Sequence, residues 1–286
     1  MWSALRAFLR RRWVERAVLA LFTLGFALAI DALCIEPARL VVNRQELHVP
    51  RWPARLAGLR LALLSDLHVG SPHWDLAHLH ELVQRTNAEH PDLILLAGDY
   101  QINGVWFGSH VAIEPIAAEL GQLHAPLGVL SVLGNHDWWN DAPRTRRAFE
   151  AHGVRVLDDE ALRVEAPGGS FCVLGLRDEY FRKRTTAEEL ALAPPGLPLL
   201  VLVHEPDVFA ELDSRALLTL AGHTHGGQVS LPFFGRGVVP SRFGARYAAG
   251  EVVEDGKMLF VTTGVGTSII PVRFRVPPEI ALLTLR

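Results

Sequence analysis

Cysteine is nearly absent from this chain, with Cys34 and Cys172 the only two in 286 residues. Two cysteines cannot build a disulfide framework, and their spacing fits no zinc motif. Both read as structural or incidental, and the bulky Leu33 argues against a lipoprotein site at Cys34. A basic excess is also missing. The formal net charge is -3, which removes the usual electrostatic footprint of a nucleic-acid partner. No internal repeat, low-complexity tract or linker divides residues 37–286, and no segment signals an obligate protein partner. What remains, 49% hydrophobic and 21% charged, suits one or two globular domains with a sizeable core.

The N-terminus differs from the rest. Arg6, Arg10, Arg11, Arg12 and Arg16 precede an apolar run from Ala17 to Ile30, interrupted by Asp31 and resumed as Ala32 to Ile35. The first run alone falls short of the roughly 20 residues a span needs; the extended one reaches it with a carboxylate near the interface. Three readings stay open for residues 1–36. A signal anchor would leave its arginine-rich end in the cytoplasm and place residues 37–286 outside, by the positive-inside rule. A cleaved export signal would use Ala27-Leu28-Ala29, and Arg10-Arg11-Arg12 loosely resembles a twin-arginine signal despite Glu15. An amphipathic helix lying on the inner membrane face is the third, and it would leave the domain facing the cytoplasm.

Along residues 37–286, apolar runs alternate with helical patterns. Residues 40–49 predict an edge strand, and 59–64, 92–97 and 127–133 predict buried strands. Helical spacing marks 74–88 and 111–123, and a further helix is expected beyond Asp141 to His152. Such alternation implies a partly parallel sheet covered by helices. Strand-like pieces follow at 154–157, 161–164, 171–176, 198–203 and 217–221. Asp255-Gly256 then signals a hairpin between 251–254 and 257–261. The second half is thus richer in β-structure, as if a second sheet packs on the first.

Polar residues cluster where these runs end. They are Asp66, His68, Asp99, Asn135, His136, His204, His223 and His225. The carboxylates, amide and imidazoles suit Mn, Fe, Zn or related divalent ions, and no thiolate belongs to the set. The set exceeds one coordination shell, which favours two metals. Asp66-x-His68, Gly98-Asp99, Gly134-Asn135-His136-Asp137, His204 and Gly222-His223-x-His225 together resemble, in type and order, the calcineurin-like metallophosphoesterases over residues 59–286. The form Gly222-His223-Thr224-His225-Gly226-Gly227-Gln228 is most similar to their bacterial membrane-associated or exported branch.

The resemblance implies an α/β fold, a four-layer α-β-β-α sandwich of two mixed sheets, preceded here by the N-terminal hydrophobic segment. It implies that Asp66, His68 and His225 bind a first divalent ion, that Asn135, His204 and His223 bind a second, and that Asp99 bridges them. His136 would stand beside the substrate, with Asp137 accepting its other ring N–H. The implied activity is hydrolysis of phosphodiester or pyrophosphate bonds by a metal-bridging hydroxide, on substrates that include lipid-linked ones. UDP-diacylglucosamine pyrophosphate hydrolysis, which needs a cytoplasm-facing site, and a non-catalytic metal-binding envelope scaffold are the alternatives. Residues 231–237 with Arg236, Arg242 and Arg246 form either a lip that recognises substrate or a packed loop with surface arginines. Arg273 carries the same ambiguity. His73, His78 and His80 read as solvated, and His110, His124 and His152 lack a spacing signal.

Overall fold

In a computed structural model that describes residues 2–286, the N-terminal apolar run forms helix α1 (Trp2–Ile30). Side chains of residues 3–8 lie outside that description, Arg6 of the basic flank among them. A wider π turn at Asp31–Ile35 and a tight turn at Glu36–Ala38 continue α1. The stretch Leu9–Ala38 is 30 residues, long and apolar enough to cross a membrane, and its apolar core is exposed.

The remainder builds two six-stranded sheets. In chain order come β1 (Val41–Leu47), β2 (Arg60–Leu64), α2 (Leu76–Ala88), β3 (Leu93–Leu96), α3 (Ile113–Leu120), β4 (Val129–Ser131), α4 (Asn135–Ala151) and β5 (Arg155–Val156). Then follow β6 (Glu160–Ala166), β7 (Gly169–Gly175), α5 (Thr186–Leu190), β8 (Leu199–Leu202), β9 (Ala216–Ala221), and the short β10 (Ser230–Leu231) and β11 (Gly235–Arg236). The chain closes with β12 (Gly250–Glu254), β13 (Lys257–Val261) and β14 (Glu279–Leu285). The first sheet runs β1-β14-β2-β3-β4-β5 and the second β12-β13-β9-β8-β7-β6. Strands β2 to β5 are mutually parallel, as are β13, β9, β8 and β7, while β14 and the outer strands β12 and β6 each supply an antiparallel pair. Both sheets are therefore mixed.

Three apolar clusters set the layers. Leu64, Leu96 and Val129 of the first sheet pack against Leu82, Ile116 and Phe149 of α2, α3 and α4. Leu61, Leu95, Leu200 and Phe260 lie between the sheets. The outer face of the second sheet is covered by Leu190, Phe209 and Tyr247. Such strands are buried on both faces, which is why they read as unbroken apolar runs. The fold is the α/β sandwich of two mixed sheets, with an outermost layer made of α5 and short helical turns. The hairpin at Asp255-Gly256 joins β12 and β13.

Two elements depart from the sequence reading. The pattern predicts a helix beyond Asp141, whereas α4 begins at Asn135 and kinks at Asp141, whose φ is -164°. Asp141 caps the second segment by accepting the Arg144 N–H at 3.0 Å, so the cap was a real signal for an internal restart. Strand β14, which carries no flanking hairpin signal, inserts between β1 and β2, parallel to one and antiparallel to the other.

Candidate metal centre

Each ligand-type residue leaves the carboxyl end of a parallel strand. Asp66 and His68 follow β2, Asp99 follows β3, His204 follows β8, and His223 and His225 follow β9. Asn135 and His136 occupy the first turn of α4 after β4. Carboxyl strand ends of α/β sheets are the ordinary place for reactive groups. The backbone is strained there: Asp66, His68, Asp99, His223 and His225 all have φ between +40° and +68°. Left-handed backbone at non-glycine residues is costly and persists where the surroundings impose it. Gly98, at φ +97°, lies so close to its neighbours that a Cβ would stand 2.5 Å from the Gly134 nitrogen and 2.8 Å from His204 Nδ1.

The two aspartates are oriented alike. Asp66 Oδ2 accepts the His223 backbone N–H at 2.9 Å, which leaves Oδ1 buried without a hydrogen-bond partner. Asp99 Oδ1 accepts the His136 N–H at 2.9 Å, which leaves Oδ2 facing His204 Nε2 at 3.2 Å, His68 Nε2 at 3.7 Å and His136 Nε2 at 3.9 Å. His204 Nδ1 lies 2.6 Å from the Ala97 carbonyl oxygen. Donation there leaves Nε2 as the free face of the ring, as in metal-binding histidines generally.

Ligand atoms of Asp66, His68 and His225 lie within 4.8 Å of one another, as do those of Asp99, His204 and His223, and of His68, Asp99 and His136. His68 Nε2 stands 3.2 Å from His225 Nε2, and His223 Nδ1 3.2 Å from His204 Nε2. Lone pairs this close repel unless a proton or a cation lies between them. Asn135 Oδ1 is likewise buried without a hydrogen-bond partner. The orphaned oxygens, the facing ring nitrogens and the carboxylate–imidazole–amide donor set all fit divalent ions.

Protonation follows from burial. It pushes the His68 and His223 rings down to about 3 and His225 well below its ordinary value, so these rings are neutral. Burial likewise lifts the Asp66 carboxyl to about 6. At Asp99 burial opposes ionisation, but His204 and His136 outweigh it and hold the carboxyl well below the usual range. His204 moves oppositely: burial works against its charge, yet Asp99 raises it well above the imidazole range.

Asp137 corrects the sequence reading. Its carboxylate accepts the backbone N–H groups of Asp99 at 2.8 Å, Tyr100 at 3.0 Å and Gly134 at 2.9 Å. It therefore takes no proton from the His136 ring, whose Nδ1 is buried without a hydrogen-bond partner. As third residue of α4 its side chain turns back on the loop, in the manner of a capping box. His136 instead packs its ring against His68 and Trp139, at centroid distances of 4.8 and 5.0 Å. Trp139 was missed by the sequence reading; a helix started at Asn135 would have placed it one turn after His136.

The arginines divide. The Arg273 guanidinium is fully buried and donates to the carbonyl oxygens of Thr263, Gly266 and Val276. It braces a loop and does not reach the cavity. Arg242 pairs with Glu179, Asp207 and Glu211, and Arg246 with Glu254. Arg236 donates to the Gly226 carbonyl oxygen beside the site. Gln228, given no role from sequence, accepts the Ser268 N–H and donates to the Ile270 carbonyl, stitching two loops together. His73, expected to be solvated, is half-buried and lies 2.9 Å from the Leu33 carbonyl oxygen. A cavity of about 920 Å³ opens over Asp99, Asn135, His136, His223 and His225.

The family model described as calcineurin-like phosphoesterase matches residues 59–227. The uncharacterized metallophosphoesterase YkuE of Bacillus subtilis is 29% identical, over 88% of this chain and 87% of its own. The phosphodiesterase YaeI of Escherichia coli is 29% identical over 80% and 83%. The UDP-2,3-diacylglucosamine pyrophosphatase LpxG of Chlamydia trachomatis is 26% identical over 87% and 90%.

Proposed function

The chain belongs to the calcineurin-like phosphoesterases and is a phosphoester hydrolase; from that premise we propose that it cleaves phosphodiester or pyrophosphate bonds with two divalent ions. One ion would be held by Asp66, His68 and His225, the other by Asn135, His204 and His223, with Asp99 shared. The convergence of buried carboxylate, amide and imidazole groups on one cavity, with oxygens left unpartnered, carries this reading. Divalent ions so held supply Lewis-acid polarisation of phosphoryl oxygens and a more acidic water.

The chain's own residues do the rest. Asp99 and Asp66 each surrender one oxygen to a backbone N–H and so hold the other in a fixed place before any substrate arrives. His136 borders the cavity, and burial lowers the proton affinity of its ring. It is placed to present an N–H from Nε2 to the leaving oxygen, a role worth about 10²–10⁴ in rate. A metal-binding scaffold would have no use for such a ring beside the ligands.

The arginine-rich flank favours an orientation with the start of α1 in the cytoplasm and the catalytic domain outside it. The likeness to LpxG over most of both chains favours a second reading, hydrolysis of a lipid-linked pyrophosphate at a cytoplasm-facing membrane surface.

The test uses the full chain, stripped of metal and resupplied with manganese, on a chromogenic phosphodiester and the matching monoester. His136→Ala is expected to lower diester kcat/KM at least about 100-fold while manganese stays bound, and Asp99→Asn to lose manganese. Diester turnover that survives both metal removal and His136→Ala would refute the proposal.

A further inference from the structure

Exposed apolar side chains gather around the mouth of the cavity. Phe233 and Phe234, at the tip of the β10–β11 hairpin, are 104% and 84% exposed, and Phe107 is 91% exposed. Trp106, Ile269 and Ile270 are exposed beside them. Among the described residues beyond the turn that ends at Ala38, large exposed apolar side chains away from this mouth are confined to Leu76, Leu192 and Val253. Scattered single exposures are ordinary; a concentration at one cavity is not.

Backbone hydrogen bonds join the patch to the end of α1. The Trp106 N–H donates to the Ile269 carbonyl oxygen at 3.0 Å, and the Ser230 N–H, at the base of the hairpin, to that of Phe274 at 2.9 Å. The Arg273 N–H donates to the Ala32 carbonyl oxygen at 2.9 Å. The loop that carries Ile269 and Ile270 is therefore bonded directly to the turn where the apolar helix ends. Its rigidity comes from the buried Arg273 guanidinium. A helix that spans a bilayer delivers this loop to the bilayer surface.

We propose that this apolar lip inserts into the leaflet at which α1 ends, and that the cavity takes a phosphodiester or pyrophosphate bearing an acyl or alkyl chain directly from that leaflet. Aromatic side chains at a membrane–water interface are favoured on physical grounds. The cavity, about 920 Å³ with Leu231, Val238, Ile269 and Ile270 in its wall, is far larger than a phosphoryl group requires and has an apolar surface for a chain. The substrate half of the proposal rests on the phosphoesterase reading above; the insertion half does not.

The experiment places the full chain, loaded with manganese, in vesicles of phosphatidylethanolamine and phosphatidylglycerol. Two substrates are compared, p-nitrophenyl hexadecyl phosphate and p-nitrophenyl ethyl phosphate, which share the cleaved bond and differ in the chain. The hexadecyl ester is expected to be preferred at least about tenfold in kcat/KM. The double substitution Phe233→Ser with Phe234→Ser is expected to erase most of that preference and leave the ethyl ester unaffected. A nitroxide on Phe233→Cys, in a Cys34→Ser background, reads depth independently of activity. It is expected to show hydrocarbon-type oxygen accessibility, with Glu165→Cys as the aqueous control. An aqueous signal at residue 233 overturns insertion. A chain preference that is absent, or that survives the double substitution, overturns uptake through the lip. Turnover of neither ester by the wild type, with a buried nitroxide, would overturn the diester reading and the substrate half, while supporting insertion.

Discussion

The carboxylate of Asp137 gathers three backbone N–H groups from two separate loops. An asparagine there has one acceptor oxygen and an NH₂, so at least one N–H must face a donor. Asp137→Asn is expected to cost about 2 kcal/mol or more in urea unfolding and, because Asp99 is held through its own N–H, to reduce bound manganese. The shape of the remaining pH–rate profile should not change. A variant with full stability and metal but a displaced profile would restore the role beside His136 that the sequence suggested. The ligand-type residues were legible in the sequence because each follows an apolar run and its chemistry is in its own side chain. Asp137 and Arg273 were not, since their partners are backbone groups that only folding assembles.

At the scale of elements, α5 shows a group working against its surroundings. Thr185 and Glu188 cap its start reciprocally, while Glu189 turns inward to meet Arg182 at 3.0 Å. Burial pushes the Glu189 carboxyl up to about 7, and Arg182 only partly offsets it. An acid raised in the folded state binds its proton more tightly there than when unfolded. Its contribution is therefore favourable below the ordinary value near 4.5 and is lost as pH rises towards 7. Comparing wild type with Glu189→Gln isolates this group. The Tm of the wild type should fall relative to the variant by about a few degrees between pH 5 and pH 8; a constant difference would refute the assignment. Most strands were readable as apolar runs. The start of α4 was not, because Asp141 and Pro143 form a convincing helix beginning in the middle of a longer one. Strand β14 was not, because its place between β1 and β2 depends on pairing across most of the chain.

At the scale of the whole molecule, α1 stands apart from the sheets. Its apolar core is exposed, and its following turn meets the domain through Ala32, Leu33 and Pro37. Residues 37–286 keep both sheets and every ligand-type residue. Released from residues 1–36, they should remain folded, lose at most about 3 kcal/mol with the two hydrogen bonds to Ala32 and Leu33, and bind vesicles only weakly and reversibly, through the apolar lip alone. Circular dichroism, thermal unfolding and flotation test this; a released domain without cooperative unfolding would show that α1 is part of the fold. The two-sheet architecture followed from the alternation of runs. The link between α1 and the loop around Arg273 did not, since the two segments are remote in sequence and their bond is between main chains.

That link has a kinetic corollary. Were α1 to span a bilayer as proposed above, the Ala32–Arg273 bond would make the catalytic centre travel with it and explore a plane rather than a volume. A reactant dissolved in the same leaflet is met by lateral diffusion, so its relevant concentration is its mole fraction among the lipids. Inert lipid added to the same vesicles would slow the reaction by surface dilution, with the amounts of protein and reactant per millilitre unchanged.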